Sequence, residues 1–242
     1  MGKRTTKKGT RPVPLSADRL REGRQGPADT TIRLARPTDA KGADALLNMS
    51  GDGVRIIPVV RDAIEDGTAA SALLAGLDGG TKAFHTAAAH AFTSFGSGEA
   101  MTRLCLTLVA ADEQDQTVGA LSVTAPATVI DLAEQHGYSH QKALALSLFI
   151  AKVHALAVAE HARGQGIAGA LLKRAWQVYQ QLEYFLLYGS YEADRDLGAF
   201  YTRHGYTVHA PGESLALDRV TLPFRLSAGD DQCLFTRWRP RR

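Results

Sequence analysis

The stretch Ala151–Leu172, AKVHALAVAEHARGQGIAGALL, constrains this 242-residue chain more than any other. Val153, Ala155, Leu156, Ala157 and Val158 make a short apolar run suited to a buried strand. A basic, glycine-rich turn comes next, Arg163-Gly164-Gln165-Gly166-Ile167-Ala168-Gly169. Leu171, Leu172, Ala175, Trp176 and Tyr179 then recur at helical spacing. A strand that feeds a glycine turn and a helix N-terminus is a site for an anion. Backbone N–H groups point out of the turn without a Cβ in the way, and the helix dipole favours negative charge. A phosphate group is therefore expected at this turn.

Two motifs overlap there. Gly164-x-Gly166-x-x-Gly169 fits the dinucleotide fingerprint, and Arg163-x-x-Gly166-x-Ala168 fits an Arg/Gln-x-x-Gly-x-Gly/Ala pattern. The dinucleotide fingerprint wants its first glycine directly after the strand, near the start of a domain, with an acidic residue about 20 residues on. Glu160-His161-Ala162-Arg163 separates strand from glycine here, although Glu192 lies at a suitable distance. The residues downstream favour the second pattern. After the apolar run Tyr184–Tyr188 come Asp194 and then Phe200-Tyr201-x-x-x-Gly205-Tyr206, an aromatic-Tyr pair on a short helix before a strand.

These two signatures, in this order, resemble the GCN5-related N-acetyltransferases (GNAT). The resemblance implies an α+β, three-layer fold of the acyl-CoA N-acyltransferase type. Its mixed central sheet would splay open between the strand Val153–Val158 and the strand Tyr184–Tyr191. Acetyl-CoA would enter as co-substrate, with its pyrophosphate on the amides of Arg163, Gly164, Gln165, Gly166, Ile167 and Ala168. Its pantetheine would pair along Leu156, Ala157 and Val158. Asp194 stands where many members carry Asn. The reaction implied is direct attack of a primary amine on the thioester, which needs a proton removed from the ammonium and one supplied to the leaving thiolate. Tyr201 is the candidate acid by its place in the second signature. His154 is the candidate base, because His-Ala-Leu-Ala-Val resembles the arylalkylamine N-acetyltransferase branch. Lys152 takes the place of that branch's other histidine. Period-2 alternation puts Lys152 and His154 on one strand face. A tyrosine that only packs, a structural histidine and a water chain are the competing readings. A noncatalytic acetyl-CoA-binding module and a dinucleotide-dependent enzyme are the competing functions.

Charge is uneven. Residues 1–27 hold eight Lys/Arg against Asp18 and Glu22, so the remainder of this +3 chain carries −3. Residues 1–29 read as a disordered basic tail, with weak nucleic-acid or anionic-surface contact as the alternative. The acetyltransferase domain is expected over 30–242. It opens with a strand at Thr31–Arg36 and a helix at Ala40–Met49, and carries helical insertions at about 51–98 and 126–149. By the resemblance the first would cover the acceptor site, and the second would lie near the acceptor pocket, with core packing or a homodimer contact as the alternative. Strands are expected at Arg103–Ala111, Thr117–Thr124 and Gln232–Trp238, and Arg237–Arg242 as a solvated end. His85 and His90, at i, i+5, are poorly spaced for one metal, and no metal is proposed. Cys105 and Cys233 lack metal spacing and suggest buried thiols in the cytoplasm. No apolar run is long enough to span a bilayer, so no membrane partner is expected. The acceptor amine itself is not legible.

Overall fold

The structure, a computed structural model, describes residues 14–49, 51 and 55–240. Eight strands form one sheet in the order β1-β2-β3-β4-β5-β6-β10-β7. These are β1 (Arg24–Gln25), β2 (Thr31–Leu34), β3 (Leu106–Ala111), β4 (Thr117–Thr124), β5 (Ile150–Val158), β6 (Leu186–Glu192), β7 (Thr207–Val208) and β10 (Gln232–Trp238). A small hairpin, β8 (Leu215–Ala216) with β9 (Arg225–Leu226), stands apart. Every neighbouring pair in the large sheet is antiparallel except β5 and β6. A parallel pair needs a crossover, and α8 (Ile167–Gln181) supplies it.

Both sheet faces are covered, which explains why the central strands read as continuous apolar runs rather than alternating ones. On one face Leu106, Leu108, Leu121, Val123, Leu187 and Phe235 pack with α8, with α1 (Ala17–Glu22) and with the long helix α4 (Ser71–Ser94). On the other, Cys105, Val109, Ala120 and Ala155 meet α2 (Ala40–Asn48) and α3 (Pro58–Glu65). Further along that face, Ile150, Leu186, Tyr188 and Leu234 meet α6 (Ala127–Gln135), α7 (His140–Ala145) and the β8–β9 hairpin. The 126–149 segment therefore builds core. Helix α4 is kinked at Gly80 (φ 75°), where the sequence reading separates two helices at Asp78-Gly79-Gly80. The short helix α5 (Ser97–Thr102) leads into β3.

Two expectations are corrected. The proposed tail does not extend to residue 29. Ser16 caps α1 by accepting from the Arg19 amide, and Leu20 is fully buried. Gln181 clasps the Leu15 backbone with both halves of its amide (2.8 and 2.7 Å), and Asp78 accepts from the Ala17 amide at 2.8 Å. Leu15, Ala17 and Leu20 are the missed signal, three apolar residues sheltered in a basic context. Residues 1–13, with the remaining basic cluster, lie outside the described residues. Nor are Arg237 and Arg239 free in solution, while Arg241 and Arg242 lie outside the described residues. Arg237 lies 4.5 Å over the Trp176 ring and Arg239 lies 4.9 Å over Phe185.

A buried ion pair fixes the other end of the sheet. Arg33 on β2 is 1% exposed and makes a bidentate contact to Asp39, 4% exposed, ahead of α2. Its second amino group reaches Asp115 in the β3–β4 turn at 2.7 Å. One guanidinium thus joins strand, helix entry and turn.

Candidate active site

The site begins where β5 and β6 part. They pair at Ile150–Leu186, Ala151–Leu187 and Lys152–Tyr188, and the ladder then stops. β5 continues to Val158 and β6 to Glu192 without pairing to each other. The result is a fork with backbone groups along its arms, and Leu156, Ala157 and Val158 lie on one arm. A thioester with an amide-bearing tail can pair with such an arm as an added strand would.

The glycine turn stands at the open end of that arm. A short 3₁₀ turn (Glu160–Ala162) leads into it. Gly164 and Gly166 have φ of 75° and 85°, the left-handed region that L side chains disfavour. Gly166 is the N-cap of α8, so the chain reverses into the helix with its first amides facing outward. Among the described residues, the amides of Gly164, Gln165, Gly166, Ile167 and Ala168 have no hydrogen-bond acceptor. Arg163, Gly164, Gln165 and Gly166 are exposed. Open amides at the start of a 15-residue helix suit a pyrophosphate. Arg163 does not point into this nest, because its Nε donates to the Val158 carbonyl at 3.1 Å and ties the turn to the strand end. Gln165 likewise donates back to the His161 carbonyl at 3.2 Å.

Gly169, the third glycine of the overlapping fingerprint, serves packing. A Cβ there would lie 2.1 Å from Cε1 of His204, at the C-terminus of α9 (Gly198–Arg203). The glycine turn and the second aromatic signature are therefore pressed together in space.

Tyr201 lies on α9 and is buried. Its ring stacks on Phe235 of β10 (3.7 Å, 12°) and on Tyr191 of β6 (5.5 Å, 19°), with Tyr206 edge-on. Burial is the main force that raises its pKa well above the ordinary tyrosine value, Tyr191 adds to this, and Arg195 opposes it. Tyr201 is thus held next to the β6 arm as a neutral hydroxyl. Asp194 is exposed in the 3₁₀ turn Ala193–Arg195 that ends β6, on the side of the fork opposite the glycine turn.

His154 sits at a break in the β4–β5 ladder. Ser122 pairs with Ala155 and Val123 with Val153, so His154 is the extra residue of a β-bulge. A bulge re-aims a side chain, and here Nε2 comes 2.9 Å from the Arg55 carbonyl. A carbonyl only accepts, so Nε2 carries the proton and Nδ1 keeps the lone pair. Burial chiefly lowers the His154 pKa; the Arg55 carbonyl opposes this and the Lys152 charge adds to it. Burial also lowers Lys152, two residues earlier on β5. The bulge and the Arg55 carbonyl join residues far apart in sequence, and neither is visible in a strand pattern. The Tyr191–Tyr201–Phe235 stack is hidden for the same reason.

Among the described residues, no helix is long and apolar enough to cross a membrane. Cys105 and Cys233 are buried and unpaired.

Residues 103–208 match a family model described as the Acetyltransferase (GNAT) domain, a span that contains the fork, the glycine turn and Tyr201. Among solved structures, the chain is similar to the GNAT family N-acetyltransferase YhbS from Escherichia coli, in complex with CoA. Identity is 21%, coverage is 90% of this chain and 86% of that one, and the TM-score is 0.50. It is also similar to an acetyltransferase from Streptococcus agalactiae 2603 (10% identity, 87% and 99% coverage, TM-score 0.48). A GNAT family acetyltransferase from Streptococcus pneumoniae gives 15% identity, 86% and 99% coverage, and a TM-score of 0.47. No curated protein matches the chain.

Proposed function

We propose, from the match of residues 103–208 to the Acetyltransferase (GNAT) domain model, that the chain moves an acetyl group from acetyl-CoA to a primary amine by direct attack. The observation that carries this reading is the fork beside an amide-lined turn, a pairing that suits a long co-substrate with a pyrophosphate at one end. Acetyl-CoA, when bound, supplies the activated acetyl group. The amides of Gly164–Ala168 hold its pyrophosphate, and the β5 arm at Leu156, Ala157 and Val158 orients its tail. Arg163 and Gln165 shape the loop through their bonds to backbone carbonyls.

His154 is proposed as the base. Its lowered pKa keeps the imidazole neutral at neutral pH, with the Nδ1 lone pair free to take a proton from the incoming ammonium. Lys152, where the arylalkylamine branch would place a histidine, adds positive charge that favours this neutral form. Tyr201 is proposed as the donor to the departing sulfur. Its pKa lies far above that of an ordinary thiol, about 8.5. The hydroxyl therefore stabilises the thiolate mainly by hydrogen bonding, with full proton transfer left to solvent. Asp194 would position the turn at the far side of the fork.

The acceptor enters from the side of His154, Arg55 and the 51–98 segment, and its chemical class is a primary amine. Two buried, unpaired cysteines support a reducing, cytoplasmic setting. The test is thiol release from acetyl-CoA across a panel of small amines and peptides, repeated with Tyr201→Phe. Acetylated product with the native chain and its loss in the variant, with acetyl-CoA still bound, supports an enzyme. Binding without product from any amine would favour the noncatalytic module.

A further inference from the structure

The second half of α8 lies away from the glycine turn and is flanked by two clefts that meet at Gln177 and Gln180. One, of about 840 Å³, lies against α1 and β1; the other, of about 580 Å³, lies against β10. Arg19, Arg24 and Arg174 line the first, and Lys173, Arg219 and Arg237 line the second. Neither lining contains an Asp or Glu. Six cations without a carboxylate are costly to gather, and the cost is visible at Arg174. That side chain is 7% exposed and donates Nη2 to the Arg19 carbonyl and Nη1 to Gln177 Oε1, while its buried Nε has no partner among the described residues. Burial, with Arg24 adding repulsion, pushes its pKa down to about 10. Arg19, Arg24, Lys173 and Arg219 are exposed and form no ion pair among the described residues.

Two indoles lie within the second cleft, each beneath a guanidinium. Arg237 is 4.5 Å over Trp176, and Arg219 is 4.6 Å over Trp238. Trp176 itself is buried, so it is the guanidinium groups of Arg237 and Arg219, each backed by an indole, that offer a base a surface to stack on beside contacts for phosphates. Pro14 borders the first cleft and Pro240 the second, and the sequence beyond them adds five Lys/Arg in residues 1–13 and Arg241–Arg242.

We propose that this paired cleft along α8 is a docking groove for single-stranded nucleic acid, with the phosphate backbone on Arg19, Arg24, Lys173 and Arg219. Its α8 phosphate contact, Lys173, lies seven residues beyond Gly166, about 10 Å along a helix rising 1.5 Å per residue, so the groove does not use the amides of Gly164–Ala168. Concave clefts with guanidinium–indole pairs fit a strand better than a flat lipid surface, and the large exposed hydrophobics among the described residues, Met49, Ile57, Val59 and Phe185, all lie outside both clefts. The inference does not depend on the proposed acceptor or on the roles of His154 and Tyr201.

The test is fluorescence anisotropy of the full chain with a labelled single-stranded RNA of mixed sequence, titrated at several salt concentrations. Arg24→Glu/Lys173→Glu/Arg219→Glu is run beside the native chain, and both are checked for an unchanged acetyl-CoA-induced thermal shift. For four phosphates, affinity should fall about 50-fold between 50 and 200 mM salt in the native chain. If a single phosphate contact remained in the variant, that fall would shrink to about threefold. Native binding with this salt dependence, lost in the variant, supports the groove. Absence of salt-sensitive RNA binding by the native chain overturns it. So does RNA binding that the three substitutions leave unchanged, which would place the contact on residues 1–13. Tighter association with phosphatidylserine vesicles than with RNA, abolished by the same substitutions, would overturn the nucleic-acid assignment in favour of a membrane surface.

Discussion

Gly169 offers a sharp test of how the glycine turn is held against the second signature. Gly169 is the third residue of α8, where Gly→Ala gains at most the interior helix propensity of about 1 kcal/mol. At Gly169 the added Cβ would lie 2.1, 2.6 and 2.9 Å from three atoms of the His204 ring. Ordinary contact begins near 3.4 Å, so the ring must withdraw by more than 1 Å. In doing so it gives up its edge-on contact with Phe200, now at 4.8 Å between centroids. Overpacking of this kind costs about 2 kcal/mol. Against the propensity gain, Gly169→Ala should lose at least about 1 kcal/mol, which for a chain of this size lowers Tm by about 3 °C or more. In a His204→Ala background the obstacle is gone and the same substitution should raise Tm by up to about 3 °C. Thermal unfolding of all four chains monitored by circular dichroism measures the coupling, expected near 2 kcal/mol. Stabilisation by Gly169→Ala in the native background would refute the contact and, with it, the reason that the third glycine is needed.

The same geometry sets three more expectations. Tyr201→Phe keeps the stack on Phe235 and removes only the hydroxyl, so steady-state kinetics should show kcat lower by about 10²-fold with acetyl-CoA affinity retained. The acidic limb of the kcat/KM–pH profile should lie below the ordinary histidine value of about 6.5, because His154 acts when neutral and burial lowers its pKa. His154→Gln should remove that limb, and a profile unchanged in the variant would return the role to a water chain. Asp39→Ala leaves the 1%-exposed Arg33 without its buried partner and should cost about 3–5 kcal/mol in denaturant unfolding.

Much of this arrangement is local and therefore legible in the sequence. The turn at Gly164–Ala168 and the helix after it arise from residue types that adopt only a few backbone conformations. The strands at Thr117–Thr124 and Gln232–Trp238 match their expected bounds. The order of the two signatures points to a splayed sheet, and the β5–β6 ladder ends where the second arm begins. The hidden part depends on contacts between distant residues. Helix α1 has little to show by itself, and its order rests on Gln181 and Asp78, more than sixty residues away. The bulge at His154 arises from pairing with β4, so simple alternation along β5 does not fix which way that side chain points. The Arg237–Trp176 contact joins the chain's last strand to the outer half of α8, turning an apparently solvated terminus into part of a cleft.

The central claim is that the fork and the glycine turn hold acetyl-CoA. A thermal-shift titration with acetyl-CoA, CoA, NAD and NADP side by side tests it most directly. A ligand at 100 times its Kd adds about 2.7 kcal/mol of stability, a rise of about 5–10 °C for a chain of this size. The account predicts that rise with acetyl-CoA and none with NAD or NADP. Stabilisation by a dinucleotide and none by acetyl-CoA would contradict it, and would assign the Gly164-x-Gly166-x-x-Gly169 turn to the other of its two overlapping motifs.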